Sequence, residues 1–384
     1  MTKLPTAILG ATGAAGLEFI RALSNHPLFQ VEGLYASERS KGRALEDICI
    51  LDEEDIPKSL RRIRLKDCNS INPENYGLIC SALPSEVARE YESHCARTTP
   101  VISTSAAHRY EEDVPLMITE INAGHAVLLE EQKKNRGWKG WIAPGPNCTT
   151  VGLAMSLAPL MDACEVEHIT MSSYQAISGG GAALIEKWGG QQGVTIPQPI
   201  SPFLLKEGPL SPDKHISMGE SYFLLEGNVI GYIKDEEGKV IKEARKILGT
   251  HTKGNLFPRE WTLDCSCVRV PVLQGHFETV FVRTRTEVTP ADVKELYAQF
   301  NEKARAKYAQ LPSSPKNFIT VLERSPHPRL DVNLDGGMSA IIGRIEPLAS
   351  GHGVKYQVLS NNLVRGAAKG IVHVAEYLYS ERLL

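Results

Sequence analysis

The chain has no uninterrupted apolar stretch of membrane-spanning length, so no transmembrane helix is expected. It has no long basic run, and its formal charge is only -3, which gives no reason to look for nucleic acid or an anionic membrane as a partner. The eight cysteines (Cys49, Cys68, Cys80, Cys95, Cys148, Cys164, Cys265 and Cys267) include no C-x-x-C pair and no Cys/His ladder. That disfavours zinc, and no metal site is expected. Met1-Thr-Lys-Leu-Pro enters a strand almost at once, so a secretory signal is not expected, and reduced thiols in a cytoplasmic setting follow. What remains is an ordinary globular composition, 42% hydrophobic and 23% charged. At 384 residues it exceeds the size at which one core keeps growing, so two domains are the default.

Among the scattered thiols, Cys148 stands apart. It follows Asn147 and precedes an apolar run (Val151, Leu153, Leu157, Leu160, Met161), which places it in the first turn of a helix. There the unpaired backbone N–H groups and the helix dipole favour a thiolate, and a thiolate is a strong nucleophile near neutral pH. The competing reading is a small apolar residue opening a core helix.

The first half reads as strand, glycine turn and helix: Thr6-Ala-Ile-Leu9, then Gly10-Ala-Thr12-Gly13-Ala14-Ala15-Gly16, then Leu17 to Leu23. Such a turn lets a backbone approach a pyrophosphate at a helix N-terminus. The spacing is G-x-x-G-x-x-G and not the commoner G-x-G-x-x-G. A second strand, Val31–Ala36, ends in Ser37-Glu38-Arg39-Ser40-Lys41, whose cations and hydroxyls suit the 2′-phosphate of NADP. Further strand ends at Ser81 and Ser103 repeat the strand–loop–helix pattern of a doubly wound parallel sheet.

In the second half, a strand over Val166–Thr170 leads through Gln175 to Ser178-Gly179-Gly180-Gly181, a turn feeding a helix. Val240–Leu248 reads as a helix with Glu243 and Lys246 on one face, where an ordinary surface ion pair is the plainer reading. Pro271 and Gly275 break two β-branched runs, leaving Arg269 before the bend and His276 just after it. Cys265 and Cys267 share a strand face and are expected to pack in the core. Alternating residues near 280, 340 and 356 imply a large sheet whose face could serve a subunit interface, and Leu363–Leu378 reads as a long helix packing back on the first domain.

Taken together, these segments resemble the aspartate-semialdehyde dehydrogenase family, in its archaeal and fungal branch. The resemblance runs in order through Gly10–Gly16, Ser103–Arg109, Pro146–Gly152, Tyr174–Gly181, Glu243–Leu248, Arg269–His276 and Asn361–Lys369. It implies an α/β fold: a Rossmann-type dinucleotide-binding domain (1–146 and 361–384) and an α+β catalytic and dimerisation domain with a large mixed sheet (147–360). It also implies NADPH-dependent reductive dephosphorylation of L-4-aspartyl phosphate to aspartate 4-semialdehyde, with Cys148 as nucleophile and His276 as general acid/base. Gln175 and Arg269 would orient the substrate, Arg109 and Lys246 would bind phosphate, Glu243 the amino group, and Asn147 would lie beside the thiol. Gly10, Thr12, Gly13, Ala14, Ala15, Ser37, Arg39, Ser40, Ser81, Ser178, Gly179 and Asn361 make up the expected NADP contacts. A homodimer or homotetramer acting on small molecules is expected, without nucleic acid or membrane partners. The rivals are a CoA-thioester reductase of the same fold, such as the archaeal malonyl-CoA reductases, and an inactive NADP-binding sensor. The acetylglutamyl-phosphate reductases share the logic but differ around the nucleophile. Two segments stay outside this reading: the charged, Trp-containing stretch 133–141 and the proline-rich stretch 189–211.

Overall fold

The computed structural model describes residues 2–49, 56–181, 184–185, 216–218, 221–223, 228–252, 255–257 and 261–384. The 189–211 stretch and the first residues of the helix expected after Gly181 lie outside them.

Six parallel strands form the first sheet: β1 (Leu4–Leu9), β2 (Phe29–Ala36), β3 (Lys66–Asp67), β4 (Leu78–Ser81), β5 (Val101–Ser103) and β6 (Ile142–Pro144). Their order, β3-β2-β1-β4-β5-β6, is that of a doubly wound dinucleotide-binding sheet. Helices α1 (Ala14–Leu23) and α3 (Ser85–Ala96) make crossovers, and α2 (Lys58–Arg61), α4 (Thr119–Asn122) and α5 (Val127–Arg136) fill the remaining connections. Because helices cover the sheet, β4 and β5 are buried throughout, which explains their unbroken apolar runs. Gly16 is where α1 and β1 meet most closely: a Cβ there would lie 2.1 Å from the Gly10 carbonyl oxygen.

From β6 the chain turns into α6 (Cys148–Ala163), apolar on all sides and almost wholly buried between the two halves of the molecule. Beyond it, β7 (Val166–Gln175), β12 (Thr262–Arg269), β13 (His276–Thr284), β14 (Ile319–Leu322), β15 (Ala340–Pro347) and β16 (Gly353–Ser360) build a mixed sheet in the order β12-β7-β13-β16-β15-β14. Two small hairpins, β8 (Ile216–Met218) with β9 (Ser221–Phe223) and β10 (Thr250–Thr252) with β11 (Asn255–Phe257), lie apart from it. Helices α7 (Glu236–Leu248) and α8 (Pro290–Tyr308) pack with α6 on one face, and α9 (Pro328–Asp331) is a single turn. The opposite face leaves Tyr174 and Phe281 exposed. One apolar cluster runs from Ile8 and Leu34 through Val151 and Leu157 to Ile169 and Val280, so α6 joins the two sheets into a common core.

Two expected boundaries move. β7 continues five residues past Thr170 to Gln175, because it is held between β12 and β13 and both neighbours keep pairing with it. The last helix, α10 (Ala368–Ser380), starts later than Leu363. There the Asn361 side chain accepts hydrogen bonds from the Leu363 and Val364 N–H groups and bends the chain into a turn. α10 does return to the first sheet, packing on α1 and β5. The unexplained 133–141 stretch is the end of α5 and its exit. Gly137 closes the helix in the left-handed conformation (φ 66°). Arg136 stacks on the Trp138 ring at 4.9 Å, and Trp141 is fully buried with its Nε1–H donating to Leu383 O at 3.0 Å. Among the described residues no helix is long and apolar enough to cross a membrane.

A buried polar knot fastens α10 down. Glu376, fully buried, contacts His26 Nε2 at 2.9 Å and accepts from both the N–H and the hydroxyl of Ser313. Removing that carboxylate leaves three buried groups without their partner. Glu376→Leu is therefore expected to cost about 3 kcal/mol, read as a lower denaturation midpoint in urea with an unchanged slope.

Candidate active site

The nucleophile candidate opens α6, as its sequence context requires. Asn147 is the N-cap: its Oδ1 accepts from Thr149 N at 2.9 Å and Thr150 N at 3.1 Å. Its own N–H donates to Glu243 Oε2 at 2.5 Å and its Nδ2 to Glu236 Oε1 at 2.9 Å, so the cap is tied to α7 at two points. Upstream, Gly145 passes so close beneath α10 that a Cβ would lie 2.3 Å from Ile371 Cγ1.

The mixed sheet lays out the partners side by side. Arg269 on β12 stands opposite Gln175 on β7, and Phe277 pairs with Tyr174, which brings His276 on β13 level with Gln175. All three face the core side, where α6 lies. Cys148 Sγ is 3.2 Å from His276 Nε2. Arg269 Nη1 donates to Gln175 Oε1 at 3.2 Å and to Ala176 O at 2.8 Å. Two glycines make this approach possible. A Cβ on Gly366 would lie 2.8 Å from Cys148 Cβ, and one on Gly179 would lie 2.7 Å from Arg269 Nη1 and 2.9 Å from His276 Cε1.

His276 has a defined tautomer. The Ala176 N–H donates to Nδ1 at 3.1 Å, so in the neutral ring the proton sits on Nε2 and points at the sulfur. Burial, with the Arg269 charge beside it, holds the imidazole well below its usual pKa and keeps it neutral. The thiol departs from expectation. Cys148 keeps an opening to solvent, but burial and the nearby Glu236 carboxylate push it up to about 12, against the lowering effect of Arg269, Arg109 and the Thr149 N–H. The helix start is present, and desolvation outweighs it.

α7 grips residue 109 at both ends. Glu243 Oε1 accepts from Arg109 Nη1 at 3.1 Å and from the Tyr110 hydroxyl at 3.3 Å, while Lys246 Nζ donates to the Arg109 and Glu111 carbonyls at 2.8 Å each. Glu243 is fully buried and does not pair with Lys246, so the surface ion pair is replaced by an internal clamp. Burial lowers Lys246 to about 8.

On the other side of the thiol, the glycine turn leaves the N-terminus of α1 without a side-chain cap. Thr12, Ala14 and Ala15 are partly exposed there, Ser37 and Arg39 are exposed beyond β2 with Ser40 partly so, and Ser81 is buried at the end of β4. Asn362, which the sequence reading did not single out, links the remaining loops: its Oδ1 accepts from Gly275 N and its Nδ2 donates to Ser178 Oγ, both at 2.9 Å. The Asn361 side chain is occupied within its own turn, donating to Asn333 Oδ1 at 3.1 Å as well as capping Leu363 and Val364. Glu236 and Tyr110 were also missed. Glu236 and Glu243 fall on the same stripe of α7 as Val240 and Ile247, and two acids on a helix's apolar face were the readable sign.

Models of two protein families match the chain: "Semialdehyde dehydrogenase, NAD binding domain" over residues 5–128 and "Semialdehyde dehydrogenase, dimerisation domain" over 157–365. With the parallel sheet and the thiol–imidazole pair, they define a semialdehyde dehydrogenase. An aspartate-semialdehyde dehydrogenase from Archaeoglobus fulgidus is 36% identical over 100% of both chains. The crystal structure of aspartate semialdehyde dehydrogenase with NADP from Candida albicans superposes with a TM-score of 0.79 at 29% identity, covering 99% of this chain and 100% of that one. The NADP-dependent malonyl-CoA reductase of Metallosphaera sedula is 28% identical over 98% of this chain and 96% of its own length. The chain belongs to the aspartate-semialdehyde dehydrogenase family.

Alkylation of Cys148 by iodoacetamide, followed on its own peptide by mass spectrometry, is expected to climb about tenfold per pH unit through pH 9 in the ligand-free protein. A plateau near pH 7 would show a resting thiolate instead.

Proposed function

We propose that the chain catalyses NADPH-dependent conversion of L-4-aspartyl phosphate to L-aspartate 4-semialdehyde and phosphate, serving synthesis of lysine, threonine, methionine and isoleucine. The observation that carries this is the 3.2 Å thiol–imidazole contact with two buried guanidinium groups, Arg269 and Arg109, near enough to act on the thiol. Two cations near one nucleophile suit a substrate with a carboxylate at one end and a phosphate at the other. The Cys148 thiol attacks the acyl carbon, the C–S bond forms as the C–O bond to phosphate breaks, and the thiol proton leaves on the phosphate. A thiol held high keeps its proton until that leaving group can take it.

Arg109 and Lys246 offset the charge of the departing phosphate. Arg109 donates to Glu243 Oε1; a phosphate that takes over the guanidinium frees that oxygen to receive the substrate's ammonium. Arg269 holds the α-carboxylate, and Gln175 aligns Arg269. His276 donates its Nε2–H to the sulfur and then to the oxygen on which negative charge develops. This is a narrower role than proton transfer, because the Ala176 N–H occupies Nδ1. The thioester's acyl carbon then accepts hydride, the chemistry NADPH supplies when bound. Collapse of the resulting alkoxide expels the Cys148 thiolate and releases the aldehyde, and a proton from solvent returns the thiol.

Gly10, Thr12, Gly13, Ala14 and Ala15, at an uncapped helix N-terminus that leaves no room for a Cβ at Gly16, fit a pyrophosphate. Ser37, Arg39 and Ser40 fit the 2′-phosphate, and Ser81, Ser178 and Gly179 line the path to the thiol. Asn361 acts by shaping the 361–367 turn. Residues 1–146 with 361–384 form the cofactor domain and 147–360 the catalytic and dimerisation domain. The exposed Tyr174 and Phe281 side of the mixed sheet joins protomers into a homodimer or homotetramer in the cytoplasm.

Initial rates of phosphate-dependent aspartate-semialdehyde oxidation with NADP, run beside malonyl-CoA reduction and beside NAD, test the proposal; preference for malonyl-CoA would overturn it. Cys148→Ser should lose several orders of magnitude in rate and keep NADP binding, since an oxygen ester is a poorer hydride acceptor. The Lys246 charge is present below pH 8 and lost as pH rises through it, so kcat/KM for phosphate should fall above about pH 8. In Lys246→Arg that alkaline limb should move to higher pH, because guanidinium stays charged.

A further inference from the structure

We infer that Glu236 is a positioning residue of the reaction: one carboxylate oxygen holds the side-chain amides of Asn147 and Gln175 in a single sense and so aims Cys148 and Arg269 at the same substrate. Glu236 is the first residue of α7 and is buried, with 6% of its surface exposed. The chain reaches it through Asp235 in left-handed backbone (φ 60°). Its Oε1 accepts from Asn147 Nδ2 at 2.9 Å, Gln175 Nε2 at 3.1 Å and the Thr149 hydroxyl at 3.3 Å. Its Oε2 has Lys239 Nζ at 4.0 Å.

Each of the two amides has a wrong orientation that a half-turn would produce. Turned over, Asn147 would point its NH₂ at the Thr149 and Thr150 N–H groups and lose the cap of α6. Turned over, Gln175 would point its NH₂ at Arg269 Nη1, which now donates to its oxygen. Either flip would also set an amide oxygen against the Glu236 carboxylate. A single acceptor therefore excludes both errors, and it does so across the gap between α6 and β7. The same carboxylate opposes ionisation of Cys148, so its place beside the thiol is explained by what it holds and not by activation of the nucleophile.

The inference rests on the proposed reaction for its kinetic arm alone. Two conservative variants separate reach from charge. Glu236→Gln keeps the reach and loses the charge: thiolate absorbance at 240 nm should appear at lower pH than in the parent protein, and kcat/KM with aspartate semialdehyde should stay within about tenfold. Glu236→Asp keeps the charge and falls one methylene short: the thiol titration should be unmoved and kcat/KM should drop on the order of 10²-fold, as for a misplacement of about 1 Å. A carboxylate that only stabilised the fold would leave kcat/KM of the folded Glu236→Asp protein at the parental value. Glu236→Gln as slow as or slower than Glu236→Asp, or both at parental rates, or an unmoved titration in Glu236→Gln, overturns the inference. If the parent protein does not oxidise aspartate semialdehyde, the proposed reaction fails, and the titration alone decides the role of Glu236.

Discussion

The capping of α6 by Asn147 is the interaction on which the site depends. This one residue ends the run from the parallel sheet, starts the helix that carries Cys148, and is bound to two carboxylates of α7. Its amide oxygen serves α6, and its two N–H donors, backbone and side chain, both serve α7. A helix N-terminus has several N–H groups without partners, and here they are satisfied by a side chain that is itself held from behind. The thiol's position is thereby coupled to α7, and through α7 to Arg109.

Charge in this site is arranged by burial more than by proximity to solvent. Glu243 and Arg109 pair across a 3.1 Å contact, and the Glu236 carboxylate acts on Arg269 through space. The same desolvation keeps His276 neutral and the thiol protonated. Lys246 holds the backbone of the Arg109 loop, so that loop and the nucleophile share a single helix as their support.

Much of the fold was legible because its signals are local. The glycine turn before α1, the Asn-Cys start of α6 and the break at Pro271 and Gly275 each state a backbone requirement within a few residues. The same locality explains the errors. Nothing in Met171–Gln175 announces that strands on both sides of β7 continue beside it past Thr170. An apolar spacing from Leu363 cannot reveal that Asn361 turns the chain back before the final helix. Glu243 and Lys246 do share one face of α7, and Glu243 is buried there.

Residue types and their order thus determined the chemistry available to this chain: a thiol at a helix start, an imidazole after a bend, guanidiniums and a glycine cradle. Tertiary structure decided their state. Only the packing of α6 against α7 and the mixed sheet could bury the thiol and raise its pKa, and only the Ala176 N–H could choose the imidazole tautomer. Glu236 and the two close-packed glycines, Gly179 and Gly366, acquire meaning from neighbours far away in sequence. Desolvation and close contact are properties of assembled neighbours, and a linear order of residues does not contain them.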